Sequence, residues 1–470
     1  MELLINGEWV TNSRVLEVKN PYDDSVIDTV PLASKADIDK TLSGLQAGFE
    51  EMKELTSLER SEILHRTAKL IKENEEDLVR TLAAESGKLL SEARTEVYRS
   101  LVVVGLAAEE TKRIGGEVLP MDYEPWGKNR IGFYRHVPKG IISAISPFNY
   151  PLLLSLHKIA PALASGNAVI VKPASKTPLS TLKVCRFLIE AGLPPKALSA
   201  VVGNSGEIGD ILVADERVAM VTFTGSRGVG EAILRKAGIK LVTLELGSNA
   251  AVIITEGTDL EKAAKAVVRG SYSYAGQICI SLQRAFVDRK IYQPFLDVLV
   301  PLVAELKVGD QFAEDTDVCP MISKTEAARV QSWIDRATGK GARVLAGGKG
   351  DGTLFAPTVL TDVDLDMEVV CDEVFGPLVS VIPYDSIDDA FKMVNTSEYG
   401  LNTGIFTNDV NLAFRAIKEI EVGALLINDI PGFRVDNMPY GGVKKSGLGR
   451  EGVRFAMEEM TEKRMAIFTL

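Results

Sequence analysis

Residues 141–178, IISAISPFNYPLLLSLHKIAPALASGNAVIVKPASKTP, decide the fold. An apolar run (IISAIS) leads into a helical stretch (SLHKIAPALAS) and then a second apolar run (NAVIVKP). The unit repeats: LSAVVG, VAMVTFTG and KLVTLEL alternate with LSTLKVCRFLIEAG, GEIGDILVAD and VGEAILRKAG up to about residue 245. Such alternation marks βαβ units around a mostly parallel sheet, with a nucleotide site expected at the carboxyl ends of its strands.

Working outward, a second alternating series starts at 251 and runs through AFVDR, ARVLAGG, LVSVIPY, TGIFTND and GALLIND, which predicts a second α/β domain. Residues 35–115 carry apolar positions at helical spacing and predict a packed helical layer. GKNRIGFYRHVPKGIISAIS (127–146) alternates before turning β-rich, which predicts an exposed hairpin leading into a buried strand. A chain of 470 residues is too long for one ordinary core, so two large domains and a smaller element are expected. No Pro/Gly/Ser linker separates them, which implies a broad interface.

Composition excludes several classes. The chain is 46% hydrophobic and 25% charged, ordinary for a globular protein. A net charge of -11 argues against coating nucleic acid or an anionic membrane, so any anionic ligand must be held by local arginines or backbone amides. Cys185, Cys279, Cys319 and Cys371 form no CxxC pair, which suits a reducing cytoplasm. His65, His136 and His157 have no ligand spacing, so no metal site is expected. MELLINGEWV lacks a basic and apolar leader, and no segment approaches the ~20 apolar residues that span a bilayer. The chain is therefore expected to be cytoplasmic.

Chemistry concentrates in four segments. GQICIS (276–281) holds Cys279, LELGSNA (244–250) holds Glu245, SPFNYP (146–151) holds Asn149, and VAMVTFTGSRGVGEAIL (218–234) reads as strand, glycine turn and helix. A lone cysteine is most often a small buried hydrophobe. A carboxylate, an amide and a phosphate-cradling turn are the groups that thiol chemistry on a carbonyl requires. Gly225, Gly228 and Gly230 let backbone amides approach a pyrophosphate at a helix N-terminus. In VKPASKTP, Lys172, Ser175 and Lys176 can meet ribose hydroxyls and a phosphate; solvent-facing side chains are the plain alternative.

These segments, with EVFGPLVSV (373–381), NTSEYGLNTGIFTND (395–409) and MPYGGVKKSGLGREG (438–452), resemble the aldehyde dehydrogenase superfamily over nearly the whole chain. The lactaldehyde, phosphonoacetaldehyde and non-phosphorylating glyceraldehyde-3-phosphate enzymes look most similar. The resemblance implies an α/β fold with a Rossmann-like cofactor domain (1–120 and 138–245, with part of 430–450), a catalytic domain (246–429) and a small β oligomerisation element (121–137 and 451–470). It implies Cys279 as nucleophile, Glu245 as general base, Asn149 with the Cys279 amide as oxyanion donors, and Lys172 beside them. Ser146, Phe148, Lys172, Ser175, Lys176, Gly225, Ser226, Gly230, Leu246, Glu373 and Phe375 would contact the dinucleotide, and Lys158 would lie near the site.

Two positions depart from the family pattern. Ser248 stands where the motif usually reads ELGG, which puts the local geometry in question, and Ile278 replaces an arginine found in anion-specific relatives. Arg434, Arg99 and Tyr150 are the remaining candidates for holding a substrate anion; an ion pair with Asp436 is the alternative for Arg434. Ser175 replaces a glutamate common in NAD-specific relatives, so NADP+ or NAD+ is expected with a lean toward NADP+. The expected activity is oxidation of a small anionic or hydroxylated aldehyde to its acid, in a homodimer or homotetramer. A CoA-acylating enzyme, a non-catalytic binding protein and a sensor module on the same fold are the rivals; retained Glu245 and Cys279 argue against them.

Overall fold

The computed structural model describes residues Met1–Leu470. Its first core surrounds an eight-stranded sheet in the order Glu8–Val10, Leu3–Ile5, Leu198–Ala200, Ala168–Lys172, Ile141–Ile145, Val218–Thr224, Leu241–Glu245, Gly447–Leu448. The five strands from Leu198–Ala200 to Leu241–Glu245 run parallel. Ala168–Lys172 is buried at every residue, as expected of a parallel strand covered on both faces by helices. The register sets Ile145 beside Lys172 and Phe223, and Thr224 beside Glu245. The segments that follow these strands therefore emerge along one edge.

The second core surrounds a seven-stranded sheet ordered Arg343–Ala346, Thr358–Thr361, Leu378–Tyr384, Arg284–Asp288, Ala251–Ile254, Asn402–Phe406, Ala424–Ile427. Only Arg343–Ala346 runs antiparallel. Ser248, Cys279, Glu373 and Phe375 immediately precede strands of this sheet, at its amino edge. That edge meets the carboxyl edge of the first sheet, and the expected broad interface between the two units is where the candidate residues gather.

Four helices, Lys35–Glu54, Ser57–Glu73, Glu75–Ser86 and Leu90–Glu110, account for the apolar spacing of 35–115. The first two begin with capping boxes, Ser34 with Asp37 and Thr56 with Glu59. A three-stranded antiparallel ribbon stands apart: Thr461–Thr469 pairs with Arg130–Pro138, which pairs with Gly116–Leu119. The hairpin expected within 127–146 instead begins at Gly116, because two short 3-10 turns separate its arms. Helix Val453–Glu459 buries Val453, Ala456, Met457 and the following Met460 in the first core. A boundary at 451 would divide that helix from the core it fills; only Thr461–Thr469 joins the ribbon. No helix is long and apolar enough to cross a membrane.

Candidate active site

Cys279 stands in the wall of a cavity of about 420 Å³ that Asn149, Tyr150, Arg99, Arg434 and Tyr440 also line. Strained backbone leads into it. Tyr274 and Ala275 have φ of +47° and +50°, and Gly276 has +70°. Each non-glycine residue held there costs about 1–3 kcal/mol, so surrounding contacts must enforce the turn. They do: the Tyr274 amide donates to Glu92 at 2.7 Å and its hydroxyl to the Ser86 carbonyl at 2.8 Å. The Asn149 amide donates to the Gln277 carbonyl at 2.9 Å, which ties the first sheet's edge to the cysteine loop. Burial pushes the Cys279 thiol up to about 12, against the opposing hydrogen bond from Tyr440.

Glu245, at the end of Leu241–Glu245, is buried with both carboxylate oxygens lacking any hydrogen-bond partner. Burial first, and the negative Glu451 second, raise it well above the usual carboxylate range. Its negative charge opposes ionisation of Cys279. Glu451 behaves oppositely. Burial would raise it, but Lys158 and Arg434 outweigh burial and hold it below the usual range. Lys158 donates to Glu451 at 2.8 Å and to Thr224 at 2.7 Å.

The glycine turn approaches the first sheet closely. A Cβ on Gly230 would lie 2.5 Å from the Leu246 side chain, so only glycine lets the helix Arg227–Lys236 settle at this height. The Ser226 hydroxyl makes no capping bond, which leaves the helix N-terminus open to an anion. Lys172 is buried without a charged partner, and burial lowers its ammonium pKa. Ser146 bonds Ser155 at 2.7 Å within this layer. Ser175 and Lys176 line a separate cleft of about 350 Å³ that Lys324 borders. The rings of Phe148 and Phe375 meet edge to face at 5.8 Å. Phe375 also has a positive φ, +48°. Glu373 folds over Gly247, where a Cβ would lie 2.2 Å from its carboxylate, and accepts the Ser248 amide at 2.9 Å. Ser248 is thus accommodated, while Gly247 is the position with no room for a side chain.

The two cavity arginines do not show the Arg434–Asp436 pair that was the alternative for Arg434. Arg434 donates to Glu451 at 3.1 Å and not to Asp436. Asp436 is instead held by Arg99, at 2.6 and 3.1 Å, and by His157 at 3.0 Å. Each arginine thus has its own carboxylate, Asp436 for Arg99 and Glu451 for Arg434. Burial and the neighbouring Arg434 keep His157 neutral. A neutral ring that donates through Nε2 to Asp436 presents Nδ1 to the Arg434 guanidinium, 3.5 Å away. The Arg434 Nε is buried without a partner.

Sequence reading missed four groups. Tyr440 stands 3.1 Å from the Cys279 sulfur. Glu451 belongs to a motif that was recognised, without a role for its carboxylate. Lys88 and Glu96 form a fully buried ion pair; Lys88 donates to the Asn149 carbonyl at 2.8 Å and lies 3.7 Å over the Tyr150 ring, and Glu96 accepts the Leu152 and Leu153 amides. A lysine within a helical segment carries no sign of burial. An acid such as Glu96 reads as solvated charge until the helix N-terminus that it caps is placed beside it.

The chain matches the Aldehyde dehydrogenase family over residues 9–466. It is 44% identical to the 3-sulfolactaldehyde dehydrogenase of Priestia megaterium, covering 100% of this chain and 98% of the relative. Aldehyde dehydrogenase 21 of Physcomitrella patens, solved with the reaction product succinate, superposes with a TM-score of 0.97 at 37% identity, over 100% of this chain and 98% of that one. The glyceraldehyde-3-phosphate dehydrogenase GapN of Methanocaldococcus jannaschii, solved with NADP, gives 0.94 at 40% identity, over 98% and 100%.

Proposed function

The chain belongs to the aldehyde dehydrogenase family and is an NAD(P)-dependent oxidoreductase; from that premise we propose that it oxidises a short anionic or hydroxylated aldehyde to the free acid, with Cys279 as nucleophile. The observation that carries the reading is the buried Glu245 carboxylate, which has no hydrogen-bond partner and whose charge is felt at Cys279. A carboxylate left without a hydrogen bond in the interior is costly unless a solvent molecule or reactant meets it, and raised basicity suits it to draw a proton from water.

Each step uses groups in place. The Cys279 sulfur adds to the aldehyde carbon, and its carbonyl oxygen takes negative charge that the Cys279 amide and the second Asn149 N–H would bind; such a donor is worth ~3 kcal/mol. A nicotinamide dinucleotide held at the Ser226 helix N-terminus and the Phe148–Phe375 pair would supply the hydride acceptor needed for the adduct at Cys279 to become a thioester. Glu245 then takes a proton from the water that attacks the thioester, and the acid leaves with Cys279 free. A CoA-acylating enzyme would have no need of this base.

The open helix N-terminus at Ser226, the close approach at Gly230 and the Phe148–Phe375 pair fit a dinucleotide. Ser175 and Lys176 in one cleft support NADP+ over NAD+. Arg99, Arg434 and Tyr150 in the wall of the Cys279 cavity support an anion at the substrate's far end, as do the names of the relatives that take 3-sulfolactaldehyde or yield succinate. The exposed apolar side chains Val118, Ile131, Met465, Ile467 and Phe468 on the ribbon support a dimer or tetramer, and four free cysteines suit a cytoplasmic setting.

A turnover screen tests the reading: 3-sulfolactaldehyde, lactaldehyde, succinate semialdehyde, glyceraldehyde 3-phosphate, phosphonoacetaldehyde and a long-chain aldehyde, each with NAD+ and NADP+. Highest kcat/KM for a short anionic or hydroxylated aldehyde is expected. Preference for the long-chain aldehyde would overturn it.

A further inference from the structure

The Tyr440 hydroxyl lies 3.1 Å from the Cys279 sulfur and has no other hydrogen-bond partner. Its ring is buried, and the Arg434 guanidinium stacks 3.7 Å above the ring centroid. We infer that Tyr440 is the residue that stabilises the Cys279 thiolate, by donating its phenolic hydrogen to the sulfur while Arg434 holds and polarises the ring.

The direction of the bond follows from donor strength. A thiol is a weak donor and a phenol a good one, and once the sulfur is ionised only the phenol has a hydrogen to give. A hydrogen bond made to the charged form lowers the pKa of the group that accepts it. This matters because burial works against the thiolate here, and Glu373 and Glu245 add negative charge nearby. No lysine, histidine or helix N-terminus bonds the sulfur. The cation on the ring face draws electron density from the phenol and strengthens its O–H as a donor, while the barrier to full ionisation of Tyr440 remains high because burial raises its pKa. No proton passes between the two residues: the thiol hydrogen leaves to solvent, the phenolic hydrogen stays on oxygen, and the sulfur keeps the electron pair that attacks carbon.

The inference rests on Cys279 being the nucleophile, and Tyr440→Phe tests it apart from that reading. Phenylalanine keeps the ring under Arg434 and removes one oxygen. Labelling of Cys279 by iodoacetamide is followed between pH 7 and 9 by mass spectrometry of its peptide, which separates it from exposed Cys371. Below the thiol midpoint the rate tracks the thiolate fraction. A loss of about one pKa unit of stabilisation, partly offset by the greater nucleophilicity of a more basic thiolate, slows labelling ~3–10-fold at every pH in that range. NADP+ affinity should stay within about twofold. Equal or faster labelling with intact NADP+ binding overturns the inference; so does slower labelling accompanied by lost NADP+ binding, which marks Tyr440 as a packing residue. Aldehyde turnover by Cys279→Ala would instead overturn the nucleophile assignment.

Discussion

Arg434 and Glu451 form an ion pair at 3.1 Å with both side chains more than nine-tenths buried. Lys158 shares the same carboxylate, so Glu451 balances two cations, and Arg434 keeps one N–H free. If Arg434 binds the substrate anion as proposed, that anion would meet a guanidinium already held in place, with less rotamer freedom left to lose.

Replacing either cavity arginine should separate binding from stability. Arg99→Leu is expected to raise KM for a short anionic aldehyde ~10-fold, the loss of a charge-assisted hydrogen bond of ~1.5 kcal/mol or more, and to leave propanal within about twofold. Arg434→Leu should do the same, and each variant should also lower stability by about 3 kcal/mol, because it strips a partner from a buried carboxylate, Asp436 for Arg99 and Glu451 for Arg434. Steady-state kinetics with both aldehydes and denaturant titration check this. Equal losses for propanal would mark the arginines as structural.

Glu245 predicts two pH effects. Its native carboxyl pKa lies above the unfolded one, so the native state binds more protons between the two values and stability falls as pH rises through that window. Glu245→Gln should therefore raise Tm at pH 8 and leave it little changed at pH 4. In the unmodified enzyme the acid limb of kcat should lie above pH 4.5, since Glu245 must lose its proton to act as base. A kcat flat down to pH 4.5 would remove Glu245 from that role.

Cofactor choice should follow Ser175. Catalytic efficiency with NADP+ is expected to equal or exceed that with NAD+, and Ser175→Glu should shift the ratio ~10-fold toward NAD+, since a carboxylate repels a 2′-phosphate. NAD+ favoured more than tenfold by the unmodified enzyme would show that VKPASK was misread.

The strands from Ile141–Ile145 to Leu241–Glu245 and most of the second sheet were legible because each is a short apolar run bounded by helical stretches, a local signal; Leu3–Ile5, Glu8–Val10, Thr358–Thr361 and Gly447–Leu448, short or outside that alternation, were not. The places of Gly230, in the first turn of a helix after a strand, and Glu245, at a strand end, could be read locally, while the role proposed for Glu245 came from the family resemblance. Tyr440, Glu451 and Lys88 were not, because their partners lie 161, 293 and 61 residues away in sequence. Nothing near Lys88 in AESGKLL distinguishes it from a solvated lysine until the Tyr150 and Tyr274 rings close over it. The pairing of Arg434 went astray for the same reason. Asp436 is two residues away in the chain, but the carboxylate it meets comes from the end of MPYGGVKKSGLGREG, folded back against Lys158.

Assembly should run through the ribbon. Thr461–Thr469 is an edge strand with Met465, Ile467 and Phe468 exposed, a surface that soluble monomers rarely leave bare. Light scattering at micromolar concentration is expected to give a dimer or tetramer, and a chain ending at Glu462 a smaller species. A monomeric full-length chain would contradict this.

In the proposed reaction Cys279 carries the acyl group and Glu245 releases it. Glu245→Gln mixed with aldehyde and NADP+ in a stopped-flow instrument, then digested and weighed, tests it directly. A burst of about one NADPH per active site is expected, with the acyl mass on the Cys279 peptide, as a base working only in the second half-reaction requires. Continued turnover at the unmodified rate, or a burst with no acyl group on Cys279, would contradict it.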